Sequence, residues 1–159
     1  MLVRTKNHPV FRDIRRLHVI DSFTISMSLS QYPWATFRKT KAGFRLHLHV
    51  VVTKDQTVPD QAILMSAIHA DRTQMDELIK IDSDAIHLFD RDYVDYKKFD
   101  QYCLNHLRFI TRLKKNAEIE VLNEQTPDPE NLIFQEAEVY LGNKVTGTKM
   151  QNHLRRFEL

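Results

Sequence analysis

Two aspartates, Asp21 and Asp90, each follow directly on a short apolar segment of the sequence. Residues 17–20 and 85–89 are rich in apolar and strand-forming side chains, which predicts a β-strand ending at each aspartate. Two carboxylates that meet at neighbouring strand ends would offer the hard oxygen ligands that Mg²⁺ or Mn²⁺ prefers. Polar residues after a strand are also common in turns, so either aspartate alone would indicate only a turn.

Basic side chains are concentrated soon after the first of these segments. The chain of 159 residues has a formal net charge of only +2. Residues 31–54 nevertheless contain no acidic residue and five basic ones, Arg38, Lys39, Lys41, Arg45 and Lys54. Local positive charge of this kind suits the phosphate backbone of a nucleic acid, although a solvated basic surface has the same composition.

Length and composition favour one globular domain, since 42% of the residues are hydrophobic. No apolar run reaches the roughly 18 residues of a transmembrane helix, and residues 1–16 lack the apolar core of a signal peptide. We therefore expect a cytoplasmic protein with no membrane partner. The single cysteine, Cys103, excludes an internal disulfide and a cysteine-rich zinc site. Its place in a helical apolar pattern predicts a buried thiol.

Hydrophobic periodicity predicts a chain that alternates between strands and helices. The predicted strands cover residues 17–20, 43–52, 61–66, 85–89 and 109–113. Residues 23–29 also alternate, and they either extend the first strand or form another extended segment. One helix is predicted to begin at Asp71 as its N-cap. A second is predicted over residues 93–106, with His106 complementing the helix dipole at its end.

The strand over residues 43–52 carries two histidines, His47 and His49, on one face. The other face is apolar and consists of Phe44, Leu46, Leu48 and Val50. A histidine pair at this spacing can ligate zinc, but no cysteine or third histidine lies nearby in the sequence. Exposed or hydrogen-bonded histidines are therefore the favoured interpretation.

The order of these elements resembles the ribonuclease-H-like fold, an α/β fold with a mixed sheet and flanking helices. The predicted order in this chain is three strands, a helix, a strand, a helix and a strand. An acid follows the first strand and another follows the fourth. Four sequence features, taken in order, resemble the bacterial insertion-sequence DDE transposases of the insertion-sequence-four type. They are VIDS (19–22), WATFRKTKAG (34–43), LH (46–47), and FDRDYVDYK (89–97) followed by FITRL (109–113).

This resemblance implies a division of the chain into three parts. Residues 1–15 are predicted to be an irregular basic lead-in. Residues 16–115 are expected to form part of a ribonuclease-H-like catalytic core. Residues 116–159 are expected to begin a β-rich insertion, with a last strand near residues 153–159.

The resemblance also implies a mechanism and partners. Asp21 and Asp90 would be the first two acids of the DDE triad and would bind two Mg²⁺ or Mn²⁺ ions, one activating water or a DNA 3′-hydroxyl and one stabilising the leaving oxygen. Without metal, repulsion between the two acids should raise the pKa of at least one. The partners would be transposon-end and target DNA, and a second copy or a full-length transposase. The first candidates for DNA-phosphate contacts are Arg38, Lys39, Lys41 and Arg91, whereas Trp34 is favoured as a packing residue.

Two departures from the family pattern affect these expectations. Asp92 stands where the family usually has glycine, which predicts a strained turn or a disturbed metal site. The pattern Y-x2-R-x3-E-x6-K, which carries the third acid, does not occur. The acids available in its place are Glu118, Glu120, Glu136, Glu138 and Glu158. We therefore expect an inactive fragment, truncated before the third acid, whose sheet exposes apolar surface where a core helix is missing.

Two other hypotheses stay open. The chain could be a non-catalytic remnant that binds DNA or dimerises and so modulates a full-length transposase. Alternatively, it could be a compact metal-dependent nuclease in which Glu118 or Glu138 replaces the missing acid.

Overall fold

A computed structural model of the chain describes residues 2–3, 15–39, 41–126 and 135–158, and it is built on one mixed β-sheet. The strands are β1 (Leu2–Val3), β2 (Arg16–Met27), β3 (Thr36–Arg38), β4 (Lys41–Val52), β5 (Thr57–Ser66), β6 (Ala85–Phe89), β7 (Arg108–Thr111), β8 (Ala117–Gln125), β9 (Gln135–Asn143) and β10 (Leu154–Glu158). The helices are α1 (Met75–Leu78) and α2 (Tyr96–Leu104), with 3₁₀ turns at Pro33–Ala35, Asp71–Gln74 and Arg91–Tyr93.

The strand order is β3-β4-β2-β6-β7-β1-β10-β9-β8, and β5 pairs with β4. Strand β4 runs antiparallel to both β2 and β5, whereas β2, β6 and β7 are parallel to one another. Parallel neighbours need a crossover connection, and the segments that contain α1 and α2 provide the two crossovers. The predicted mixed α/β sheet with flanking helices is therefore confirmed.

One face of the sheet carries the main core. The rings of Phe89, Phe99 and Phe109 pack together there, with 4.8 Å between the centroids of Phe99 and Phe109. Cys103 lies in the same cluster and is buried, as predicted. Because α2 supplies Phe99 and Cys103, this is the face that the helices cover.

The opposite face of the sheet is partly open. Strand alternation and register place Phe23, Ile25, Leu64 and Leu88 on this face, and all four are exposed. This agrees with the expected exposure of apolar surface on the sheet.

The structure adjusts several predicted boundaries. Residues 23–29 mostly extend the first strand, since β2 runs to Met27 and pairs with β4 over its whole length from Leu17. The second helix begins at Tyr96, later than predicted, because the Asp95 side chain caps it by accepting hydrogen bonds from two backbone N–H groups. No helix in the described part of the chain is long and apolar enough to cross a membrane.

One prediction about a single residue is wrong. Asp71 does not cap a helix: Ala70 occupies the position before the 3₁₀ turn, and the Asp71 side chain is buried in an ion pair with Arg45. An interaction of His106 with the helix dipole stays a prediction; His106 lies one residue beyond the C-cap residue Asn105 and has a φ of 55°. It is the left-handed residue that ends α2.

The region after residue 115 shares the sheet and core of the rest. Strand β1, in the predicted irregular lead-in, pairs with both β7 and β10 and so joins the two halves of the sheet. Residues 1 and 4–14 of that lead-in lie outside the described residues. Asp100 of α2 accepts hydrogen bonds from the backbone N–H groups of Gln151 and Asn152. The predicted last strand is confirmed as β10.

Candidate functional site

Asp21 and Asp90 lie next to each other at one edge of the parallel part of the sheet. In the parallel pairing of β2 with β6, Ile20 is opposite Phe89, and each aspartate is the next residue of its chain. Neighbouring strands are about 5 Å apart, so the two carboxylates start from adjacent backbone positions. Ile20 and Phe89 point into the core beneath the helices, so alternation turns both aspartates to the open face.

A third charged residue, Arg112, continues this row. Phe89 is opposite Thr111 in the pairing of β6 with β7, and Arg112 follows Thr111 as Asp90 follows Phe89. Sequence reasoning did not assign Arg112 a role. The sequence signal for Arg112 is its position near the end of a predicted apolar strand, comparable to the positions of the two aspartates.

The three side chains line an open groove of about 710 Å³. Its other walls are largely apolar and include Leu88, Ile110 and Phe157. Such a groove keeps the carboxylates accessible from solvent while it lowers the polarity around them. The arrangement is suited to holding a partly hydrated cation at its rim.

Arg112 forms a close ion pair with Asp90. Its Nη2 and Nε atoms donate to the same carboxylate oxygen, Oδ1, at 2.7 and 3.0 Å. Partial burial opposes ionisation of Asp90, but the backbone N–H of Arg91 and the guanidinium of Arg112 outweigh it, so the pKa of Asp90 is lowered. The expected raising of a pKa by mutual repulsion of the two acids is therefore wrong for Asp90. The Asp21 carboxylate accepts a hydrogen bond from the Ser22 N–H at 2.7 Å.

Two carboxylates at neighbouring positions of β2 and the end of β6 fit the donor type that Mg²⁺ and Mn²⁺ require. Among the described residues, however, no three histidine, cysteine or acidic side chains come together as a metal site. The candidate third acids lie on β8, β9 and β10, and β7 and β1 separate these strands from β6. Glu136 is ion-paired with Arg155, Glu120 lies 3.8 Å from Lys149, and the Glu158 side chain lies outside the described residues.

The predicted DNA-binding residues fall into two places. Arg91 is exposed and adjoins Asp90, whereas Lys39 and Lys41 are exposed near the far end of β4. Ala42, which follows Lys41, pairs with Met27, six residues from Asp21, so these lysines lie about 20 Å from the carboxylates. The side chain of Arg38 lies outside the described residues.

Two other members of the basic and aromatic segment behave differently from expectation. Trp34 is not a packed core residue: it is 70% exposed and makes one ring contact, with Phe44 at 5.1 Å between centroids. Arg45 is turned toward the helix face, where it donates to Asp71 at 2.6 Å. Trp34 therefore belongs to the accessible surface, and Arg45 is already used by an internal ion pair.

The histidines of β4 are both fully buried, at 0% exposure. Nδ1 of His47 is hydrogen-bonded to the hydroxyl of Tyr93 at 2.7 Å, and Nε2 lies 3.9 Å from Oδ1 of Asp71. His47 and His49 are thus hydrogen-bonded, as one of the two interpretations expected, and the exposed alternative is wrong. Burial lowers the pKa of His47, against the opposing effect of Asp71.

His49 belongs to a second buried cluster that the sequence did not reveal. Its Nε2 is 3.0 Å from Nδ1 of His18, and the ring of His87 lies 4.7 Å from that of His18. His18 and His87 are opposite each other in the parallel pairing of β2 and β6. Each precedes its aspartate by three residues, and this shared spacing was the available signal.

Asp92 causes no backbone strain of the expected kind. It is exposed and lies in the 3₁₀ turn Arg91–Tyr93, and His106 is the only non-glycine residue with a positive φ in the described ranges. A right-handed turn accepts aspartate, so the glycine expectation does not apply at this position.

A comparison with known proteins adds one relative. No family model matches the chain. A probable transposase for insertion sequence element IS5377, from Geobacillus stearothermophilus, is 25% identical over 103 residues. The similarity covers 65% of this chain. It supports a relationship to insertion-sequence transposases. The match spans 26% of the relative, so the chain corresponds to about a quarter of that protein's length.

Proposed function

We propose that this chain contributes the first two metal-binding carboxylates of a DDE transposase, an enzyme that cleaves and joins DNA strands during transposition. The observation that carries the proposal is the side-by-side placement of Asp21, within β2 where its parallel pairing with β6 stops, and Asp90, directly after β6, in an open groove. The similarity to an insertion-sequence transposase supports the same function independently.

The proposal includes the ribonuclease-H-like fold and the insertion-sequence-four type. Three long strands, then α1, β6, α2 and β7, follow one another in the order that the resemblance predicts. The antiparallel β5, β4 and β2 lie beside the parallel β6 and β7, as a mixed sheet of this kind requires. Residues 16–115 would then form part of the catalytic core and residues 116–159 would belong to an insertion in it.

Asp21 and Asp90 would hold Mg²⁺ or Mn²⁺, which when bound supplies charge stabilisation for an in-line phosphoryl displacement. The backbone N–H of Arg91 and the guanidinium of Arg112 lower the pKa of Asp90 and so favour the ionised carboxylate that a cation would bind. The exposed Arg91 adjoins the carboxylates, where it would contact a phosphate close to the reacting bond. Lys39 and Lys41 would contact the DNA backbone further along.

The third carboxylate is proposed to come from sequence outside this chain. The absence of the Y-x2-R-x3-E-x6-K pattern supports this. So does the distance in the sheet between β6 and the strands that carry the candidate glutamates. The chain alone would then be inactive, and a full-length transposase or a second copy would be its partner on DNA.

Binding of Mn²⁺, followed by electron paramagnetic resonance, tests this function. We expect weak binding by the wild type and a loss of at least about tenfold, or 1.4 kcal/mol, in Asp21→Asn and in Asp90→Asn. Asp92→Asn is the matched control, since it removes an exposed carboxylate two residues from Asp90. Equal Mn²⁺ affinity in all four proteins would contradict the proposed site.

The alternative of a non-catalytic DNA-binding remnant is favoured by one observation, the exposed basic surface with Trp34 on it. Such a remnant would bind DNA with the same affinity with or without Mn²⁺. The DDE hypothesis instead expects Mn²⁺ to strengthen DNA binding in the wild type and to have no effect in Asp21→Asn.

A further inference from the structure

We propose that His47 and Tyr93 are positioning residues that fix the Asp21 and Asp90 backbones relative to each other from the helix-covered face of the sheet. This inference rests on the proposed function for its consequence, which is the geometry of the metal-binding carboxylates. Neither residue lines the groove, so both would act through the backbone that carries the two aspartates.

The first connection runs from Tyr93 to the strand of Asp21. The Tyr93 hydroxyl is hydrogen-bonded to Nδ1 of His47 at 2.7 Å. Ser22 follows Asp21 and is opposite His47 in the pairing of β2 with β4. Alternation places Ser22 on the helix-covered face while Asp21 points into the groove. The hydroxyl is therefore tied, through His47 and the pairing of β4 with β2, to the residue whose backbone N–H binds the Asp21 carboxylate.

The second connection runs from Tyr93 to Asp90. The backbone N–H of Tyr93 donates to the carbonyl oxygen of Asp90 at 3.1 Å, which closes the turn after β6. The Tyr93 ring is almost fully buried in the main core, so this turn has a fixed attachment. One residue thus holds the turn at Asp90 through its backbone and, through its hydrogen bond to His47, the pair of strands that carries Asp21.

Asp71 determines which atom donates the proton in the hydrogen bond between Tyr93 and His47. Its Oδ1 accepts from Arg45 at 2.6 Å and lies 3.9 Å from Nε2 of His47. A carboxylate on that side favours the tautomer with the proton on Nε2, and burial keeps the imidazole neutral. We assign Nδ1 as the acceptor of the Tyr93 hydroxyl proton.

Burial alone does not account for this arrangement. His47 sits at 0% exposure and its Nε2 lies 3.9 Å from the Asp71 carboxylate, beyond hydrogen-bond distance, so burying the imidazole has a desolvation cost. An apolar residue would fill the same space without that cost. A role in holding the Asp21 and Asp90 backbones in place explains why the polar His47 side chain is kept beneath the carboxylates.

Two variants test the inference against a matched control. Tyr93→Phe removes only the hydroxyl, and His47→Gln removes its partner. His49→Gln is the control, because His49 is equally buried, lies two residues along the same strand and faces the same side, but contacts His18 and Asp60. The free energy of unfolding of each variant is measured in urea, so that effects on the site are compared at known stability.

The first readout is Mn²⁺ affinity. Loss of an outer partner of a metal ligand commonly costs about 10- to 100-fold, so we expect roughly tenfold weaker binding in Tyr93→Phe and His47→Gln. His49→Gln should stay within about twofold of the wild type. If Mn²⁺ affinity fell equally in all three variants, the effect of His47 and Tyr93 would be that of any buried residue in this part of the sheet. That result would overturn the inference.

The second readout needs no metal. Hydrogen exchange of the amide of residue 93, which donates to Asp90, should be about tenfold faster in His47→Gln than in His49→Gln under identical conditions. If wild-type Mn²⁺ binding does not depend on Asp21 but the exchange difference is found, the proposed function fails and the connection between the strand ends stands. Equal exchange in the two variants would overturn the connection whatever the metal result.

Discussion

Arg112 and Asp90 form an ion pair at the ends of two parallel strands, with Nη2 of Arg112 2.7 Å from Oδ1 of Asp90. The Arg112 side chain is 71% exposed, so it can leave the carboxylate without disturbing the core. The pair therefore has two opposing effects on a cation. It lowers the pKa of Asp90, and its guanidinium competes for the same oxygen.

Replacing Arg112 with glutamine separates these effects. The pKa of Asp90 should rise, because a charge-assisted donor is lost, and a carbon-13 NMR titration of the carboxyl group measures this. At pH 7 Asp90 stays ionised, so Mn²⁺ binding should tighten by about fivefold, equivalent to about 1 kcal/mol of removed repulsion. Stability should change by less than about 1 kcal/mol, as for other exposed pairs. Lys144→Gln, which removes an exposed positive charge elsewhere, should leave the Asp90 titration unchanged.

The two exposed lysines near the far end of β4 should contribute to DNA binding through phosphates. Replacing Lys39 and Lys41 together by glutamine should weaken binding to all DNA sequences alike and reduce the slope of log affinity against log salt by about 2. Lys97→Gln is the control, because Lys97 is exposed on α2, on the other face of the sheet. A salt slope that falls as much in Lys97→Gln would contradict a specific phosphate surface.

The sequence predicts that Asp21 and Asp90 lie near each other because each follows an apolar segment, and the two segments are parallel neighbours. It does not predict that β2 continues past Asp21 to Met27, since that extension depends on pairing with β4. The β4 strand shows what such reasoning misses. Its alternation was predicted, but its apolar face is the half-open one and its histidines face the helices. Periodicity separates the two faces of a strand without indicating which face the crossover helices will cover.

The polar partners of these histidines explain why their burial was not foreseen. Asp60 lies on β5 and Asp71 in a turn beyond it, so each meets its histidine only after β4 and β5 have paired. Asp71 was assigned to a helix cap because local sequence offers that role to aspartate. Long-range pairing replaced the local role, since a buried imidazole and Arg45 both need a carboxylate.

The His18, His49 and His87 cluster should make the chain less stable in mild acid. Burial and the neighbouring His18 lower the pKa of His87 to about 4, from an ordinary value of 6.5. The unfolded chain therefore binds a proton that the folded chain does not between these pH values. Stability should fall as pH decreases from 6.5 to about 4, by up to about 3 kcal/mol for this one group.

Urea unfolding across this pH range measures the effect. His87→Gln should flatten the decline, although it lowers stability at pH 7 by removing a packed ring. His69→Gln, at an exposed histidine, should retain the full wild-type decline. An equally steep decline in His87→Gln would show that other groups cause the acid sensitivity.

Asp100 should be important for stability because it joins α2 to the segment before β10. Its carboxylate accepts hydrogen bonds from the backbone N–H groups of Gln151 and Asn152 and from the Asn152 side chain, at 2.8 to 3.1 Å. Asp100→Ala should cost about 1 to 3 kcal/mol, since several donors lose their partner. Gln101→Ala, on the exposed side of the same helix, should be neutral or slightly stabilising. A matching loss in both variants would mean that helix propensity, not the connection, is being measured.

His106 offers a stabilising substitution at the end of α2. Its N–H donates to the Cys103 carbonyl and the next N–H, of Leu107, donates to the Tyr102 carbonyl, which is the Schellman pattern that glycine favours. A left-handed conformation costs a side-chain-bearing residue about 1 to 2 kcal/mol, and glycine adopts it freely. After the greater flexibility of glycine in the unfolded chain is subtracted, His106→Gly should gain about 0.5 to 1 kcal/mol.

A thermal melt should show this gain as an increase in Tm of about 2 to 4 °C per kcal/mol. Asn105→Gly provides the comparison, because Asn105 directly precedes His106 but has a φ of −80°. Glycine relieves no backbone strain at residue 105. It should lower Tm there, because it only increases the conformational entropy of the unfolded chain. If both glycine variants lowered Tm, relief of the left-handed backbone at residue 106 would not be the dominant effect, and the His106 side chain would have to stabilise the helix end instead.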